Sequence, residues 1–179
     1  MNPILAIDPG IGGGLAIIDA DGVVGAIAMP DGMTAQIDAM RSLVLAHPGL
    51  SAVMERVGGY MPGNSGPSAA TFARHCGHIE AAMYCMGVPT TQVAPAKWMK
   101  ALGSWPKEKP DRKRAIRDAM ARQYPHLSVT LKTADALGIL AWATSGREAV
   151  RLVVEAVVKE SLTTGANAAG QTPATQREG

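Results

Sequence analysis

The chain has 179 residues, 47% of them hydrophobic and 18% charged, with a formal net charge of +2 at pH 7. This length suits one domain with a sizeable core, and the composition is that of a globular protein. No apolar stretch approaches the roughly 20 residues of a membrane-spanning helix, and the N-terminus lacks the pattern of a secretory signal. We therefore expect a soluble protein of the cytoplasm.

The cysteine pattern agrees with a reducing compartment. Cys76 and Cys85 lie nine positions apart in one predicted helix, which separates them by about 13 Å, too far for a disulfide. We interpret them as reduced core thiols. The four histidines show no zinc-binding spacing with these cysteines.

The first 29 residues predict three strands joined by tight turns. Residues 4–7 form a short β-branched run that ends at Asp8-Pro9-Gly10, and strands at 15–18 and 23–29 follow. Asp8 thus ends a buried strand, where an ionised carboxylate is costly unless a cation or hydrogen bonds compensate it. Asp8 can equally be an ordinary turn residue.

Two more carboxylates stand at the ends of predicted elements. Glu55 follows a strand at 50–54, and ligands bind at the carboxyl ends of parallel strands. Asp135 lies in the first turn of a helix with Thr133 as its N-cap, a position that also suits a purely structural Asp. The sequence further predicts a strand at 89–93 and helices at 33–46, 68–86, 94–102, 111–124 and 133–160. A Gly/Pro-rich loop is predicted at 56–67. The predicted domain spans residues 1–160, and residues 161–179 are predicted to form a disordered tail.

Basic residues are concentrated in one segment. Nine of the 17 fall between positions 97 and 122, opposed there by only three acids. Such a run is either a solvated face or a phosphate-binding surface. The nine are Lys97, Lys100, Lys107, Lys109, Arg112, Lys113, Arg114, Arg117 and Arg122.

Brought together with no neighbouring base to neutralise them, the carboxylates of Asp8, Glu55 and Asp135 would repel one another unless divalent cations lay between them. Oxygen ligands favour Mg²⁺ or Mn²⁺ over zinc. Two such ions would activate a water and stabilise the leaving oxygen of a phosphoryl displacement.

The order of elements is that of the ribonuclease H-like fold, an α/β fold with a five-stranded mixed sheet flanked by helices. Within it, the chain resembles the RuvC-type Holliday junction resolvases and their phage-encoded relatives over residues 3–145. The matching segments are Ile7-Asp8-Pro9-Gly10, Val53-Met54-Glu55-Arg56-Val57, Phe72-Ala73-Arg74-His75-Cys76-Gly77, Val93-Ala94-Pro95-Ala96-Lys97-Trp98 and Thr133-Ala134-Asp135-Ala136-Leu137.

The resemblance implies a homodimeric, Mg²⁺-dependent endonuclease that nicks four-way or otherwise branched DNA symmetrically, in a bacterium or a phage-infected host. Asp8, Glu55 and Asp135 would hold two Mg²⁺ ions, with Mn²⁺ as a substitute, and Lys97 would act near the scissile phosphate. The helix at 68–86 would form the dimer interface. The DNA-contacting residues would be Tyr60, Lys97, Lys100, Lys107, Lys109, Arg112, Lys113, Arg114 and Lys132.

One position departs from the family pattern. Lys132 stands one helical turn before Asp135, where the family usually has a second acid or a histidine. The identity of a fourth metal ligand therefore stays open, and Lys132 is a candidate for direct phosphate contact.

Three alternatives remain open from the sequence. The glycines after Asp8 resemble the phosphate loop of actin-like ATPases and sugar kinases, but those proteins need two such domains, and 179 residues without a repeat leave room for one. The second alternative is a junction-binding module that does not cleave, which Lys132 at a usual ligand position favours. A ribonuclease H-like nuclease acting on RNA or flap substrates is the third.

Overall fold

The computed structural model describes residues 2–56 and 65–145. Residues Met1–Ala143 form one compact unit, and of the second unit, Thr144–Gly179, only residues 144 and 145 are described. The predicted tail, the second half of the last helix and most of the 56–67 loop with Tyr60 lie outside the described residues. Those predictions, with the domain boundary at 160, stay predictions.

The sheet has five strands in the order β3-β2-β1-β4-β5. β1 pairs with β2 antiparallel and with β4 parallel, β2 pairs with β3 antiparallel, and β4 pairs with β5 parallel. This mixed arrangement confirms the predicted fold class. The strands are β1 (Ile4–Asp8), β2 (Gly14–Ile18), β3 (Val24–Ala28), β4 (Ser51–Glu55) and β5 (Thr90–Val93).

Five helices flank the sheet in the described part of the chain. They are α1 (Met33–Ala46), α2 (Gly66–Cys85), α3 (Pro95–Leu102), α4 (Lys109–Gln123) and α5, which begins at 134 and is described to 145. α2 starts two residues earlier than predicted, because the Ser65 side chain accepts a hydrogen bond from the Ser68 N–H and Pro67 fits the first turn. Within these stretches, no helix combines the length and apolarity needed to cross a membrane.

The core consists of two clusters, one on each face of the sheet. Side chains alternate along a strand, so Ile4 and Ala6 of the central β1 belong to the cluster under α3, α4 and α5, and Leu5 and Ile7 belong to the cluster under α1 and α2. All five residues of β1 are buried. Any charged group at the end of β1 is therefore held by a rigid, two-sided core.

The buried face of α2 differs from the predicted stripe of Phe72, Cys76, Ile79, Met83 and Met86. The helix buries His75, Ile79 and Met83 because it packs on α1. At this contact, His78 Nε2 of α2 lies 2.6 Å from Gln36 Oε1 of α1. Cys76 is only half-buried and Cys85 is exposed, so the expectation of core thiols was wrong for Cys85, although both thiols are free.

Gly138 of α5 provides a test of packing. A Cβ at Gly138 would lie 2.7 Å from Cζ3 of the buried Trp98, so Gly138→Ala is expected to lower the free energy of unfolding by about 1–3 kcal/mol. Gly77→Ala in α2 is the matched control, because apart from the local helix backbone no atom lies within 4 Å of its added Cβ, and alanine favours a helix by about 1 kcal/mol. Urea denaturation measures both. Wild-type stability for Gly138→Ala would contradict the close contact.

Candidate active site

Three carboxylates line one cleft at the carboxyl edge of the sheet. Asp8 and Glu55 are the last residues of β1 and β4, which are neighbouring parallel strands and so end at the same edge. Asp135 is the second residue of α5. The cleft has a volume of about 340 Å³. The structure therefore brings the three predicted acids together, while their roles remain predictions.

The turn after β1 forms one wall of the cleft. The Gly13 N–H donates to the Gly10 carbonyl at 3.0 Å, and a Cβ at Gly13 would overlap the carbonyl oxygen of Asp8. Gly10 has a φ of +118°, which L side chains rarely adopt, and packs against the ring of Phe72. The glycines thus permit a turn tight enough to keep the Asp8 carboxyl at the cleft floor.

The charged forms of two of the acids, Asp8 and Glu55, are disfavoured in the cleft. Burial raises the pKa of Asp8 well above its usual value, and the Glu55 and Asp135 carboxylates raise it further, with Lys113 opposing them. Burial also raises the pKa of Glu55, with a hydrogen bond from Trp98 lowering it and Asp135 raising it. The charged forms of Asp8 and Glu55 are therefore disfavoured in the cleft, and Lys113 offsets this only in part.

Part of the compensation comes from α4. Lys113 Nζ lies 3.5 Å from Asp135 Oδ2, in a pair whose side chains are 37% and 16% exposed. The expectation that the acids have no neighbouring base was therefore wrong. Lys109 and Arg112 also line the cleft, because residues three and four apart share a helix face.

Five of the other predicted DNA-contacting residues are absent from the cleft lining. Lys97 is exposed on α3, with its ammonium 5.5 Å from the centroid of the Trp142 ring. The Arg114 guanidinium pairs with Asp111 at 3.1 Å on the exposed side of α4. Residues predicted to contact DNA but absent from the cleft lining are Lys97, Lys100, Lys107, Arg114 and Lys132.

Two aromatic side chains at the cleft were missed by the sequence analysis. The Trp98 Nε1–H donates to Glu55 Oε1 at 2.8 Å, and Phe72 lines the cleft beside Gly10. In the sequence both are apolar residues on predicted helices, a pattern that indicates core. Only the proximity of Trp98 to a predicted strand end could have pointed to the cleft.

The chemical type of the candidate ligand atoms, carboxylate oxygens, suits a hard divalent cation. Carboxylate oxygens are the ligands that Mg²⁺ and Mn²⁺ prefer, and a cation would stabilise the disfavoured charged forms of Asp8 and Glu55. Across residues 2–56 and 65–145, no three His, Cys, Asp or Glu side chains are grouped closely enough to hold an ion as they stand. Binding of one ion by all three acids would therefore require them to close up and Lys113 to give way at Asp135.

The fold and the cleft define this chain as an α/β protein of the ribonuclease H-like class. Two similar solved structures are Thermus thermophilus RuvC in complex with Holliday junction substrate, with a TM-score of 0.55, and Thermus thermophilus RuvC, with a TM-score of 0.50. Each is 16% identical and covers 82% of this chain and 96% of its own. No protein-family model and no curated protein matches the sequence. The predicted resemblance to RuvC is therefore confirmed for the fold.

Proposed function

We propose that this protein is a divalent-metal-dependent endonuclease that cuts branched DNA, with four-way junctions as its preferred substrate. The observation that carries the proposal is the cleft itself: Asp8, Glu55 and Asp135 meet there on a RuvC-like fold, beside basic residues of α4. Three grouped carboxylates next to basic side chains are an arrangement suited to metal-assisted phosphoryl chemistry.

Asp8, Glu55 and Asp135 would hold two Mg²⁺ ions, with Mn²⁺ as a substitute. When bound, such ions supply an activated water and charge stabilisation of the leaving oxygen. Asp8 is the most deeply buried of the three, at 7% exposure, and would anchor the site. Glu55 has one oxygen engaged by Trp98, which leaves the other for a cation.

The basic residues inside and outside the cleft would contribute to DNA binding in different ways. Lys109, Arg112 and Lys113 line the cleft and would contact the phosphates nearest the cut. The five basic residues outside the cleft would supply the salt-dependent attraction that brings any DNA to the surface. The junction as substrate is carried over from the T. thermophilus RuvC structure, which holds Holliday junction substrate.

Paired nicks across a junction require two sites, and we propose a homodimer through α2. This helix leaves Tyr84 86% exposed and Cys85 exposed at its carboxyl end. An exposed aromatic side chain is typical of an interface residue. The protein would act in the cytoplasm, bacterial or of a phage-infected host.

A second candidate function is a junction-binding module that does not cleave. The observation that favours it is the Lys113 ammonium, which pairs with Asp135 and so opposes a cation at that carboxylate. Lys132, which stands in place of an acidic or histidine ligand, also favours a module that does not cleave.

Cleavage of a labelled four-way junction decides between these functions. We expect paired nicks in Mg²⁺ or Mn²⁺, none in EDTA and none on a linear duplex of the same sequence. Junction binding without cleavage in either cation would favour the binding module. Cleavage of an RNA–DNA hybrid or a flap in preference to the junction would favour a different nuclease.

A further inference from the structure

The indole of Trp98 lies at the base of the cleft. Its side chain is 1% exposed, and its Nε1–H donates to Glu55 Oε1 at 2.8 Å. An indole N–H can only donate, and a buried one requires an acceptor. Here the acceptor is a carboxylate that the proposed function assigns to a metal.

The sheet topology explains how Trp98 reaches Glu55. β5 runs parallel to β4 with Val93 opposite Glu55, and the Arg56 N–H donates to the Val93 carbonyl at 2.7 Å. α3 begins at Pro95, two residues after β5 ends. Trp98 therefore lies one helical turn beyond the end of β5, beside the end of β4.

The six-membered ring of the indole packs on α5 at the edge away from Nε1. A Cβ at Gly138 would lie 2.7 Å from Cζ3 of Trp98 and 3.3 Å from two further ring atoms. Gly138 is three residues after Asp135, so both lie on one face of the helix. Trp98 thus contacts the strand that carries Glu55 through a hydrogen bond and the helix that carries Asp135 through its ring.

We propose that Trp98 is a positioning residue for the Glu55 carboxylate. The last torsion of a glutamate has broad, weakly preferred angles, so a rigid donor on Oε1 selects one orientation and leaves Oε2 for a cation. Hydrogen bonds to metal-ligating carboxylates raise metal affinity or activity by about 10- to 100-fold. The metal-binding part of this inference rests on the proposed function.

Trp98→Phe tests the hydrogen bond, because it keeps an aromatic ring and removes the donor. Trp105→Phe is the matched control, since Trp105 Nε1 donates at the same 2.8 Å, but to the Met99 carbonyl. We expect Trp98→Phe to weaken Mg²⁺ and Mn²⁺ binding by about 10- to 100-fold, as measured by thermal shift against cation concentration. Trp105→Phe should bind cations as the wild type does.

Cleavage by Trp98→Phe should fall at low Mg²⁺ and recover as Mg²⁺ is raised, whereas a merely structural loss would not recover. Equal cation affinity in Trp98→Phe and Trp105→Phe would overturn the proposal. If the wild type itself neither gains stability from cations nor cleaves, the proposed function fails, and the metal-binding part of this inference fails with it.

A second measurement needs neither activity nor a folded Trp98 variant. The chain has three tryptophans, so indole ¹⁵N labelling should give three N–H signals in an NMR spectrum, assigned with Trp105→Phe and Trp142→Phe. Glu55→Gln should shift the Trp98 signal and leave the Trp105 signal in place. A Trp98 signal unchanged by Glu55→Gln would show that the bond is not made.

Discussion

Asp8→Asn is expected to abolish cleavage while making the metal-free protein more stable than the wild type. The carboxylate is buried beside two others, so its charge is costly in the absence of a cation. Asparagine keeps the shape and removes the charge. We expect a loss of at least about 1000-fold in cleavage and a gain in the free energy of unfolding at pH 7 in EDTA, of the roughly 0.5–2 kcal/mol that single stabilising substitutions commonly give.

The sign of the pH dependence follows from the raised pKa of Asp8. Above the ordinary aspartate pKa of about 3.9, the unfolded chain has released this proton and the native protein still holds it. Metal-free wild-type stability should therefore fall as pH rises from about 4, until the native carboxyl also ionises. Asp8→Asn should show less of this fall, and the two proteins should converge near pH 4 in urea denaturation.

Added Mg²⁺ should reverse the ranking. A ligand at 100 times its Kd stabilises the native state by about 2.7 kcal/mol, and the variant would lack much of this gain. Asp38→Asn is the control, because Asp38 is an exposed acid of α1, 3.9 Å from Arg41. It should change neither stability nor cleavage. An Asp8→Asn protein less stable than the wild type at pH 7 in EDTA would make Asp8 a structural turn residue.

The sequence predicts the elements well where local signals are strong. The predicted helix at 33–46 coincides with α1, and the predicted strands overlap all five strands of the sheet. The runs are short, β-branched and bounded by Gly, Pro and Asp, so their ends are marked in the chain. The burial of α2 could not be predicted as well, because it depends on the angle at which α2 meets α1.

The acids of the site could be predicted for the same reason, since strand ends are visible in sequence and parallel strands bring their ends together. Their neighbours could not. Lys97 and Lys113 belong to one basic segment, and only packing shows that Lys113 reaches Asp135 while Lys97 lies over Trp142. Trp98 has the sequence signature of a core residue and is one, yet its single polar atom contacts Glu55.

We therefore propose two roles for Lys113 in the cleft. In the metal-free protein its ammonium partly compensates the acids, as its lowering effect on the pKa of Asp8 and Glu55 shows. In the proposed reaction a cation would replace it at Asp135, which would free the ammonium for a phosphate oxygen. Charge stabilisation of that kind contributes about 100- to 1000-fold to a rate.

Lys113→Met removes this charge and keeps an unbranched apolar side chain. Without metal, we expect the free energy of unfolding to fall by about 1 kcal/mol, a modest value because the lysine is more than a third exposed and solvent screens the pair. Mg²⁺ should bind more tightly, since its competitor at Asp135 is gone. Cleavage at saturating Mg²⁺ should nevertheless fall by about 100- to 1000-fold.

Arg114→Met is the matched control, because it removes one positive charge from the same helix. Arg114 pairs with Asp111 in the open, with side chains 63% and 58% exposed, so its loss should change stability by less than about 1 kcal/mol and cleavage little. Tighter Mg²⁺ binding with wild-type cleavage in Lys113→Met would show that the lysine opposes the metal and does nothing for the phosphate. Weaker Mg²⁺ binding would instead show that Lys113 organises the three acids, since removing a competing charge can only favour the cation.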